Sequence, residues 1–106
     1  MEGSLIQFDV LTVLRATDGE DIEMSAERLL SAFESAHPEA GAVTSVDLAR
    51  QMFDVAFTVE AVDLDKAIDR ARIVFSKAAS TAELVPRPID SIHVSTVTPD
   101  RELVTA

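Results

Sequence analysis

Apolar residues in this chain recur first at every second position, then at helical spacing, then at every second position again, and the cycle repeats. Side chains alternate across a strand and return every 3.6 residues around a helix, so this rhythm specifies two strand-helix-strand units. Residues 5–16 read as the first strand. Ile6, Phe8, Val10, Thr12 and Leu14 fall on one face; Gln7, Asp9 and Arg15 fall on the other, together with Leu5, Leu11 and Val13. A loop with Gly19 as punctuation follows. A helix is expected from Ser25, whose hydroxyl suits an N-cap, with Met24 and Leu29 at hydrophobic-staple spacing. Its stripe is Ala26, Leu29, Leu30, Phe33 and Ala36, and His37-Pro38 closes it because the residue before proline is pushed out of helical geometry.

Residues 43–50 and 52–62 read as the next two strands, with the turn near Arg50-Gln51. In the second of them Phe53, Val55, Phe57, Val59 and Ala61 share one face, and Asp54, Thr58 and Glu60 share the other. Asp63 then reads as an N-cap for a long helix whose stripe is Leu64, Ala67, Ile68, Ala71, Phe75, Ala78, Ala79 and Ala82. Pro86-Arg87-Pro88 is expected to stop it. Residues 89–98 form the last strand through Ile92, Val94 and Thr96, and residues 99–106 read as a loose or partner-docked tail. The order β-α-β-β-α-β implies a ferredoxin-like α+β sandwich. Its four-stranded antiparallel sheet has the order 4-1-3-2, and both helices lie on one face. At 106 residues this is one domain, able to bury a core without staples.

The composition narrows what such a domain does. The absence of cysteine excludes disulfides, thiolate metal sites and cysteine nucleophiles. No apolar run approaches the ~20 residues of a membrane span, and Met1 to Ser4 carry no basic n-region, so a cytoplasmic location is expected by elimination. The formal net charge of −10 repels phosphate backbones and anionic lipids, so neither nucleic acid nor a membrane is expected as a partner.

No catalytic constellation emerges, and no cofactor or metal is implied. His93 and Asp9 fall on the same open sheet face, and such a pair orients an imidazole for base catalysis; Ser91 and Ser95 lie nearby, but no nucleophile elbow surrounds them. A surface or interface histidine is the simpler account. His37 suits a helix end, where it meets the last carbonyls. The acidic loop Asp18, Glu20, Asp21 and Glu23 lacks the alternating oxygens and closing glutamate of a calcium loop.

One feature points beyond the fold. The sheet face away from the helices should read polar, yet Leu5, Leu11, Val13, Met52, Ala56 and Val97 fall on it, with His93. Monomers rarely leave a patch of several hundred Å² bare. The expectation is a homodimer, face to face or edge to edge, serving a non-catalytic protein-interaction or small-ligand-sensing module. The alternatives are a compact, dimeric α/β-barrel-type enzyme (oxygenase-like) with a pocket between sheet and helices, and an acidic binder of a basic partner protein.

Overall fold

A computed structural model describes residues 5–84 and 89–96. Its elements are β1 (Ile6–Arg15), α1 (Ile22–Ala36), a short 3-10 turn (Pro38–Ala40), β2 (Val43–Asp47), β3 (Met52–Ala61), α2 (Leu64–Thr81) and β4 (Ser91–Thr96). The sheet is antiparallel with the order β2-β3-β1-β4, which is the expected 4-1-3-2 layout read from the other side. The expected alternation holds from Phe8 onward, but Ile6, expected on the same buried face, is exposed at the start of β1. Phe8, Val10, Thr12 and Leu14 of β1 and Phe53, Val55, Phe57, Val59 and Ala61 of β3 are all buried beneath the helices. They meet Ile22, Ala26, Leu29 and Phe33 of α1 and Ala67, Ala71, Phe75 and Ala78 of α2 in one core. The many alanines let α2 approach closely, and the phenylalanines fill the space that remains.

Several local expectations are corrected. Helix α1 begins a turn earlier than Ser25: Asp21 is the N-cap, its carboxylate accepting from the Met24 N–H at 3.2 Å. Ser25 is instead buried and donates its hydroxyl to Glu20. The early start turns Met24 outward, so it staples nothing. The stripe shifts with it: Ile22, Ser25 and Ala32 are buried, while Ala36 is exposed. Strand β2 ends at Asp47 rather than running to residue 50. A turn over residues 48–51 intervenes, in which Asp47 accepts from the Arg50 N–H and Gln51 takes a φ of 56°.

Helix α2 carries the expected cap, Asp63 accepting from the Lys66 N–H at 2.9 Å, but Leu64 is exposed rather than part of the stripe. The helix also stops before the prolines. The Leu84 N–H reaches back to the Ala79 carbonyl and the Glu83 N–H to the Ser80 carbonyl, with Glu83 at φ 63°. This is the Schellman closure, with glutamate in the left-handed position where glycine is usual. The expected roles of Pro86-Arg87-Pro88, Val97 and the 99–106 tail fall outside the described residues.

Candidate functional site

Two of the concavities among the described residues gather chemistry-bearing side chains. The first lies on the open face of the sheet. Register places Val43 opposite Ala56, Ala56 opposite Leu11, and Leu11 opposite His93, so these four side chains form one row across all four strands. The next row on the same face is Ser45, Asp54, Val13 and Ser91. On the other side of the first row, Thr58 pairs with Asp9, and Asp9 with Ser95. A broad, shallow hollow of about 580 Å³ follows the apolar row, lined by Asp9, Leu11, Val43, Ala56, Thr58, His93 and Ser95. Val43 is 62% exposed and Leu11 36%, while Met52, Val13 and Ala56 are half-buried.

The residues expected at an interface thus divide. Leu11, Val13, Met52, Ala56 and His93 share the open face; Leu5 precedes β1 and is exposed; Val97 lies outside the described residues. Val43 belongs with them, and the sequence reading missed it. Its signal was present, two residues before Ser45 on a strand of period two, but the short strand blurred which face it took. His93 and Asp9 share the hollow but do not pair. His93 faces Leu11 across the ladder and Asp9 faces Ser95, and neither a hydrogen bond nor an ion pair joins them among the described residues. Two carboxylates of the acidic loop are engaged locally: Glu20 accepts from the Thr17 N–H at 2.9 Å and from Ser25, and Asp21 caps α1. Among the described residues no group of three His, Asp or Glu side chains is placed to hold a metal.

The second concavity is smaller and more enclosed, about 230 Å³. It arises because β3 has ten residues and β2 only five, so the second half of β3 outruns its neighbour. The 3-10 turn takes that place, tied on by the Thr58 hydroxyl donating to the Ala40 carbonyl at 3.2 Å. Gln7, Thr58 and Glu60 from the sheet, His37 and Glu39 from the turn, and Arg70 and Val74 from α2 line the space. His37 is the C-cap of α1, its backbone N–H donating to the Phe33 carbonyl. Its side chain is 17% exposed, with Nδ1 3.8 Å from Glu39. Its Nε2 is buried without a hydrogen-bond partner.

The topology and the one-sided helical layer define a ferredoxin-like α+β fold. Solved structures share it at low identity. One is a Chloroflexus aurantiacus protein whose name assigns it provisionally to the antibiotic biosynthesis monooxygenases (TM-score 0.50, 14% identity, 88% of this chain and 94% of that one). Another is a dimeric ferredoxin-like protein of unknown function from Thermobifida fusca (0.50, 13%, 89% and 92%). A third is a protein from Shewanella oneidensis (0.50, 18%, 87% and 89%). No family model and no curated protein matches the sequence. Among the described residues no helix is long and apolar enough to cross a membrane.

Proposed function

We propose that this chain is a dimer-forming, non-catalytic module whose open sheet face packs against the same face of a second copy. The observation that carries this reading is the row Val43, Ala56, Leu11, flanked by Val13 and Met52, on the side of the sheet no helix covers. Apolar surface returns about 25 cal/mol per Å² when removed from water, so a patch of this kind favours a partner that is equally apolar and equally flat. A twofold axis through the face supplies one, since it sets the same row against itself. A dimeric neighbour of the same fold accords with this arrangement. The reading favours binding over catalysis because, among the described residues, no hydrogen bond or ion pair links His93, Asp9, Ser91 and Ser95 into a catalytic relay.

Sedimentation tests it. At about 10 μM, a concentration that reports micromolar affinities, the wild-type chain is expected to sediment as a dimer. Leu11→Lys is expected to give a folded monomer, because the side chain already faces solvent in the single chain. Ile73→Lys, on the outer side of α2 and 63% exposed, is expected to leave the dimer intact. A monomeric wild type, or dissociation by Ile73→Lys and not by Leu11→Lys, refutes the proposal.

A further inference from the structure

The corner pocket carries charges of both signs that do not neutralise one another. Arg70 lies on α2, Glu60 on β3 and Glu39 on the 3-10 turn, all lining the same 230 Å³. Arg70 is within ion-pair distance of neither carboxylate, although arginine and glutamate side chains are long enough to close such gaps when nothing keeps them apart. Opposite charges held on separate walls of one cavity form a receptor with two poles. A simple anion drawn to Arg70 meets repulsion from two carboxylates, and a simple cation drawn to the carboxylates meets Arg70; a molecule carrying both charges satisfies each pole. Val59, Val74 and Ala40 give the pocket an apolar wall for a short carbon chain. The volume equals the share of about eight liquid waters, which limits the guest to a small molecule.

We propose that this pocket binds a small zwitterion, its carboxylate on the Arg70 guanidinium and its ammonium on Glu60 and Glu39. Gln7, directly opposite Glu60 in the β1–β3 ladder, supplies an amide that serves either pole. The site lies within one chain, so the inference does not rest on dimerisation.

Amide-resolved NMR titration of the full chain tests it, with glycine, β-alanine and 4-aminobutanoate as probes of increasing charge separation. At least one of the three is expected to saturate below about 10 mM. Its shifts should centre on Gln7, the 37–40 segment, Thr58 to Glu60 and Arg70 to Val74. Acetate and methylammonium, which carry one pole each, are expected to bind at least about tenfold more weakly, as are all probes to Arg70→Met and Glu60→Gln, since each substitution strips a charge from its partner. Both positions are exposed, so the variants should keep the wild-type spectrum elsewhere. Glu27→Gln, on the far side of α1, is the control and is expected to change nothing. The proposal is overturned if no probe saturates, if acetate or methylammonium binds as well as the zwitterions, or if binding survives both substitutions.

Discussion

Phe57 sets its ring 4.7 Å from that of Phe33 at 42°, and both are buried at the centre of the core. Truncation there leaves a cavity that neighbouring strands cannot collapse into, so Phe57→Ala is expected to cost about 3–5 kcal/mol in chemical denaturation. Thr12 sits two positions along β1 from Val10, fully buried, and its hydroxyl finds no hydrogen-bond partner. A buried hydroxyl without a partner keeps its desolvation cost and gains nothing in return. Thr12→Val keeps the branched shape and removes the polar atom, so the denaturation midpoint is expected to rise by an amount equivalent to about 1 kcal/mol. A fall in the midpoint would mean that the hydroxyl is satisfied after all.

The end of α2 shows the same logic in the backbone. Its Schellman closure puts Glu83 in a left-handed conformation that costs a side-chain-bearing residue about 1–2 kcal/mol. Against this stands only an exposed Arg28–Glu83 pair at 3.4 Å, of a kind worth at most about 1 kcal/mol. Glu83→Gly is therefore expected to raise the thermal midpoint, as seen by circular dichroism. Sequence spacing could not reveal this closure, because the residue in the left-handed position is not a glycine and two prolines a few residues on offered a more obvious stop. The start of α1 was obscured in a similar way. Asp21 and Ser25 are both good caps, and only the burial of Ser25 against Glu20 decides between them. The strands were legible because burial alternates through all ten residues of β3 and from Gln7 to the end of β1. That alternation also exposed most of the open-face row. The corner pocket left no trace in the sequence. It depends on β3 outrunning β2, which is set by hairpin register, and no Asn-Gly or Gly-Gly signal fixed where that hairpin turns.

Across the molecule, charge and apolar surface pull association in opposite directions. Each chain carries −10, and the proposed interface places Asp9 and Asp54 on the faces that meet. Salt shortens the reach of that repulsion from about 30 Å at 0.01 M to about 8 Å at 0.15 M, while leaving apolar burial intact. Self-association is thus expected to tighten as ionic strength rises, measured by sedimentation at these two salt concentrations. Docking to a basic partner would weaken over the same range. The strand order has a separate bearing on how the chain is made. β1 sits between β3 and β4, yet β4 begins about 85 residues after β1 does. At ribosomal speeds of about 5–20 residues per second, the innermost strand waits roughly 4–17 s with one flank open before its last neighbour is synthesised. During that interval the edge of β1 that β4 will cover is open to any other strand that can pair with it.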